Sequence, residues 1–159
     1  MHRLALLIGG NQGDRALLID QATELIRERI GSVVALSGIY ETEPWGEFDD
    51  VRPQSFFNRG LVVETTLSPW QVLRTALAIE KNLGRQRPHL SPRKYQSRPM
   101  DIDLIFYDDL VVDTPELTLP HPRMHLRRFV LDPLAEIIPD YRHPVTGKTI
   151  RQLCDTLAR

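Results

Sequence analysis

The sequence predicts an α+β fold, a ferredoxin-like α/β sandwich with an antiparallel-rich sheet, helices packed on it and long loops. Three observations predict it. Apolar segments follow the order strand, helix, strand, strand, helix, strand, which is the order of a split βαβ unit. Both helical segments carry start and stop signals. The chain has 159 residues, 42% of them hydrophobic and 26% charged, enough for one core and so for one domain spanning residues 1–159.

Leu4 to Ile8 is a short apolar run ending at Gly9-Gly10, and reads as a buried strand entering a tight turn. Asp14 can cap a helix reaching about Arg29, with Leu18, Ala22, Leu25 and Ile26 as its apolar stripe and Gly31 as its stop. Val33 to Thr42 reads as the second strand and Phe57 to Thr66 as the third. Ser68-Pro69 opens the second helix, Gly84 closes it, and Val72, Leu73, Ala76, Leu77, Ile79 and Leu83 form its inward side. Met100 to Tyr107 is a strand, Asp108-Asp109 a turn, and Leu110 to Val112 a short return strand. A brief helix follows Pro120, then a longer one from about Arg128 to Ile138. The last twenty residues read as peripheral. Glu43 to Ser55 and Arg85 to Pro99 are loops of more than a dozen residues, a length typical of binding loops or of surface insertions.

Net charge is −1, so the whole molecule is not a basic nucleic-acid binder. The single cysteine, Cys154, excludes an internal disulfide and a cysteine zinc cage, and fits a reducing cytoplasm. The first residues are too short an apolar run to span a membrane.

Asp101-Ile102-Asp103 is the first candidate for chemistry. Residues i and i+2 of a strand share a face, roughly 6.5 Å apart. Two carboxylates there either form a solvated pair or hold a divalent cation. Magnesium takes one or two carboxylates together with water and substrate phosphate. The stretch from Lys81 to Met100 contains no acid but holds Lys81, Arg85, Arg87, Arg93, Lys94 and Arg98. Guanidinium groups grip phosphate oxygens in pairs, so this neighbourhood favours a polyphosphate ligand over an unoccupied basic loop.

Other motifs carry less. Gly147-Lys148-Thr149 resembles the end of a phosphate-binding loop, but Arg142 stands where the upstream glycine belongs. His121 and His125 have helical spacing without the glutamate of a zinc protease, although His121 could donate to a phosphate. Trp45, Phe56, Phe57 and Phe129 are aromatic groups in or beside loops, suited either to core packing or to stacking on a flat heterocycle. Asn58 offers a donor and an acceptor together, which suits the edge of a pterin or purine.

These residues resemble the 6-hydroxymethyl-7,8-dihydropterin pyrophosphokinase family from the first strand to about Pro139. The resemblance is carried by Tyr40 to Gly46, Phe56-Phe57-Asn58, Glu80 to Arg85, Arg98 to Ile105, Leu119 to Pro122, and Arg127 to Leu134. Arg98-x-x-Asp101-x-Asp103 is the most specific element. The resemblance implies transfer of the β,γ-diphosphate of ATP to the pterin hydroxymethyl group in folate biosynthesis, with AMP released. It implies that Asp101 and Asp103 bind two Mg²⁺ ions, and that Arg85 and Arg98 act with them in catalysis. It places Arg85, Arg87, Arg98, Leu104, Thr118, His121 and Arg127 on ATP. Thr42, Pro44, Trp45, Phe56, Asn58 and Phe129 fall to the pterin. A cytoplasmic monomer without nucleic-acid or membrane partners is expected. The chain departs from the family pattern at Gly10, Tyr95, Gln96 and Pro122, which bears on loop closure and rate more than on reaction class. A nucleotidyl or single-phosphoryl transferase with the same aspartates, and a non-catalytic RNA-binding module, are the competing classes.

Overall fold

The computed structural model describes residues 1–43, 54–84 and 99–157. Its main sheet contains β1 (His2–Gly10), β2 (Ser32–Leu36), β3 (Tyr40–Thr42), β4 (Phe56–Thr65) and β5 (Asp101–Tyr107). The strand order is β2-β4-β1-β5, with β3 also paired to β4. Every pairing is antiparallel. This is the predicted ferredoxin-like arrangement. Two short strands, β6 (Val112–Asp113) and β7 (Thr118–Leu119), form a separate ribbon.

Alternation along β1 places Leu4, Leu6 and Ile8 in one buried cluster and Ala5 and Leu7 in another. The first cluster is covered by α1 (Arg15–Arg29) and α2 (Pro69–Asn82), the second by α3 (Arg128–Ile137) and α4 (Ile150–Leu157). Asp14 caps α1 by accepting the N–H of Leu17. Ser68 and Gln71 form a reciprocal capping box on α2, with Pro69 in its first turn. Gly84 follows α2 at φ +99°, a left-handed conformation that suits glycine.

Several expectations are corrected. The run from Val33 to Thr42 is two strands, because Ser37 interrupts it. Its Oγ accepts the N–H of Gly60 at 2.9 Å, and its own N–H donates to the Gly60 carbonyl at 3.0 Å. Gly9 and Gly10 belong to β1 and pair with Asn58 and Phe57, so they form no turn. Leu77 is 53% exposed, whereas Glu80 is buried at 3%. Val72, Ala76 and Ile79 fix the inward direction of α2. A residue one step past Ala76 is rotated about 100° away, whereas position 80 returns to that face. The expected return strand starts later: Leu110 and Val111 are exposed, and Val112 pairs with Leu119. The C-terminal segment is not peripheral. Ile150 is fully buried and Leu153 is 5% exposed, because the second face of the sheet needs α4 as well as α3 to cover it.

Candidate active site

Asp101 and Asp103 begin β5, and both are half-buried. Ile102 and Leu104 are 7% exposed and lie in the cluster under α1 and α2. The strand is therefore anchored by one face while its carboxylates stand on the other. Any contact of Leu104 with a nucleotide must come from its backbone.

Register then assembles a row across the sheet. Asp101 pairs with Gly9, Gly9 with Asn58, and Asn58 with Tyr40. Directly opposed residues of antiparallel strands point to the same side, so Asp101 and Asn58 share a face roughly 10 Å apart across two strand spacings. Phe56 and Thr42 lie two pairs further along, on the same face again, and Asn58 Nδ2 donates to Thr42 Oγ1 at 3.2 Å. Gly9 is required by this row. A Cβ there would stand 2.3 Å from the Phe57 carbonyl oxygen and 2.5 Å from Asn58 Oδ1.

Phe129 packs against the second cluster, on the sheet face that carries Leu7. Leu7 pairs with Asp103, so the carboxylates and Phe129 belong to the same side of the sheet. The Arg127 guanidinium lies 5.4 Å from the Phe129 ring centre. His121 reaches β5 through its N–H, which donates to the Ile105 carbonyl at 2.7 Å. Its Nδ1 accepts the Arg123 N–H at 3.2 Å, which leaves the neutral ring with its proton on Nε2 as a donor. Burial pushes the imidazole below its ordinary range, Arg127 and Arg123 push in the same direction, and Asp101 opposes them. Thr118 sits on β7, half-buried, its hydroxyl donating to the Thr114 carbonyl at 3.4 Å. Pro44, Trp45, Arg85, Arg87 and Arg98, with Tyr95 and Gln96, lie outside the described residues.

Glu80 opens one of the segments that carry the resemblance, but no role in the site was expected of it. Its buried carboxylate accepts the N–H of Ile102 at 2.7 Å, between the two aspartates. The signal was an acid eight positions after Val72, on the apolar stripe of α2. Among the described residues no group of three or more His, Cys, Asp or Glu side chains gathers into a metal cage. Two carboxylates on one face fit a magnesium ion that completes its shell with water and phosphate oxygens.

A model of the 7,8-dihydro-6-hydroxymethylpterin-pyrophosphokinase family matches residues 5–139. The chain belongs to this family. It is thereby a diphosphotransferase. A Porphyromonas gingivalis 2-amino-4-hydroxy-6-hydroxymethyldihydropteridine pyrophosphokinase is 40% identical over 140 residues, 87% of this chain and 92% of that protein. The pyrophosphokinase of the same name from Methylorubrum extorquens is 39% identical over 153 residues, 96% of this chain and 91% of that one. The crystal structure of Plasmodium falciparum HPPK-DHPS with pteroate superposes with a TM-score of 0.76 at 18% identity. That likeness covers 98% of this chain but only 44% of the other, and it supports the fold alone.

Proposed function

We propose that the protein transfers the β,γ-diphosphate of ATP to the hydroxymethyl group of 6-hydroxymethyl-7,8-dihydropterin, releasing AMP, in folate biosynthesis. Family membership supports the reaction class. The row Asp101–Gly9–Asn58 supports the assignment of residues, since it sets the Asp101 carboxylate and the Asn58 amide on one face.

In this reading Asn58 and Thr42 read the pterin edge, Phe56 and Phe129 stack on its ring, and Pro44 and Trp45 close over it. Asp101 and Asp103 hold two Mg²⁺ ions. When bound, the ions neutralise charge on the polyphosphate. His121 Nε2–H and the Arg127 guanidinium donate to phosphate oxygens, and Thr118 lies beside the adenine. Arg85 follows the glycine that ends α2, and Arg98 stands three residues before Asp101. Both, with Arg87, are assigned to the triphosphate, and Arg85 and Arg98 to the transferred group. The hydroxymethyl oxygen attacks the β-phosphorus in line, the bond from that phosphorus to the α-phosphate oxygen breaks, and AMP leaves. The hydroxyl proton passes to water. Positioning and charge neutralisation supply most of the acceleration. This domain acts as a monomer in the cytoplasm, where Cys154 stays a free thiol.

The test is the product. Incubation with ATP, magnesium and 6-hydroxymethyl-7,8-dihydropterin should yield AMP and the pterin diphosphate in equal amounts. ADP would mean single-phosphoryl transfer, free pyrophosphate would mean nucleotidyl transfer, and either would overturn the proposal.

A further inference from the structure

Glu136 lies in the last turn of α3, exposed, and far in sequence from the sheet residues it touches. Its carboxylate accepts the Tyr40 hydroxyl proton at 2.7 Å. The same group accepts the Gly38 N–H, with its two oxygens at 3.3 and 3.2 Å from that nitrogen. One side chain therefore ties α3 to the start of β3 and to the break before it.

Both ends of this tie lead to the proposed pterin cleft. Phe129, Asp132 and Glu136 are spaced i, i+3 and i+7, one face of the helix, with Phe129 two turns from Glu136. The hydrogen bonds of Glu136 to Tyr40 and Gly38 bring the end of this face to β3. On the strand, Tyr40 and Thr42 are alternate residues and share a side, and Tyr40 pairs with Asn58. The helix seats on Gly60, where an added Cβ would come within 3.3 Å of Pro133 and 3.4 Å of Leu134. That contact and the packing of α3 on α4 set the depth of the helix, and the Glu136 tie adds a polar link to β3. The Tyr40 hydroxyl remains a donor at physiological pH. Its hydrogen bond to Glu136, burial and the acids nearby push its pKa up to about 12.

We propose that Glu136 is a positioning residue that latches α3 to β3 and so fixes the gap between Phe129 and the Thr42–Asn58 edge that receives the pterin. This rests on the site assigned above. Thr42 and Asn58 are held to each other by a hydrogen bond, so the distance free to vary is that between the β3–β4 edge and the helix. Loss of the latch widens the slot and weakens the flat ligand. Most of the nucleotide side hangs on β5 and the segment from Thr118 to Arg123, which the latch does not touch, and only Arg127, at the N-terminal end of α3, shares the helix with Phe129.

The experiment measures two affinities by titration calorimetry, one for the hydroxymethyl-dihydropterin and one for a non-hydrolysable ATP analogue with magnesium. Tyr40→Phe should raise the pterin Kd about three- to tenfold, the worth of one lost hydrogen bond, and Glu136→Ala, which also loses the Gly38 contact, by at least as much. The analogue Kd should change by less than about twofold. Glu136→Gln keeps an acceptor oxygen and should restore most of the pterin affinity. The double variant should be no worse than the poorer single one. Phe129→Ala serves as the reference for the cleft. If it raises the pterin Kd while Tyr40→Phe and Glu136→Ala do not, the latch is wrong and the cleft stands. If Phe129→Ala leaves pterin binding unchanged, the cleft assignment fails and the latch falls with it. Equal weakening of both ligands, with a lowered Tm, would reduce Glu136 to a structural role and overturn the proposal.

Discussion

Gly9→Ala offers a perturbation whose size can be worked from the structure. The added Cβ would stand 2.3 Å from a backbone carbonyl oxygen of β4 and 2.5 Å from Asn58 Oδ1. The first contact is about 1 Å short of ordinary van der Waals separation, and a backbone atom cannot swing away as a side-chain tip can. β1 and β4 must part locally, at a point lying between Asp101 and Asn58 in the row that spans the proposed site. Overpacking of this kind costs about 1–3 kcal/mol, which for a chain of this length lowers Tm by roughly 2–12 °C. A misplacement of about 1 Å in the reacting geometry costs on the order of a hundredfold in rate. Gly31→Ala is the matched control. Its Cβ would meet the Glu64 carbonyl oxygen at 2.1 Å, six residues along β4 from Asn58 and so roughly 20 Å from the site. Both variants should lose similar stability by thermal denaturation. Only Gly9→Ala should lose kcat/KM by about a hundredfold, assayed through AMP release at a temperature where circular dichroism shows both folded. Equal kcat/KM in the two variants would refute the claim that this row is the catalytic face.

Three further outcomes are expected. Asp103→Ala should keep its Tm within a few degrees and lose about two or more orders of magnitude in turnover, and normal turnover of ATP and pterin would refute the metal assignment. Glu80→Ala leaves the Ile102 N–H without its acceptor and should cost about 1–3 kcal/mol of stability in denaturant unfolding. Its kcat should fall more than its KM rises, with Glu80→Gln recovering much of the stability, whereas unchanged stability in the alanine variant would count against the hydrogen bond. His121 is held below its ordinary range in the free protein, and an adjacent polyphosphate raises the imidazole pKa. Nucleotide binding should therefore take up protons, and affinity should rise as pH falls from the bound-state pKa toward the free-state pKa. Calorimetry in buffers of different ionisation enthalpy reads this uptake, which should shrink in His121→Gln. An unchanged uptake in that variant would remove His121 from the phosphate site.

The sequence was most legible where one local rule decided the outcome. Asp14 and Ser68 cap their helices as their side-chain chemistry requires, and the alternation of Ile102 and Leu104 with Asp101 and Asp103 survives intact in β5. It was least legible where a distant partner decided. Ser37 breaks the run from Val33 to Thr42 because its side chain takes a place in the ladder opposite Gly60, a residue more than twenty positions away. Gly9 looked like a turn and is a strand residue whose missing side chain admits the edge of β4. Glu80, absent from the inward side read from the apolar pattern, is buried under the strand that bears the aspartates.

Taken alone, the amino-acid order determined the class of fold, the caps and periodicities of its elements, and the pairing of an acidic doublet with a basic stretch that points to polyphosphate. These are properties of neighbouring residues, set by backbone geometry over a few positions. Only the tertiary structure decided that Asp101, Gly9, Asn58 and Tyr40 form one row, that the C-terminal helix completes the core, and that Glu136 joins α3 to β3. Strand register and helix docking are settled by burial and hydrogen bonding between segments far apart in the chain, and no local pattern encodes those partners.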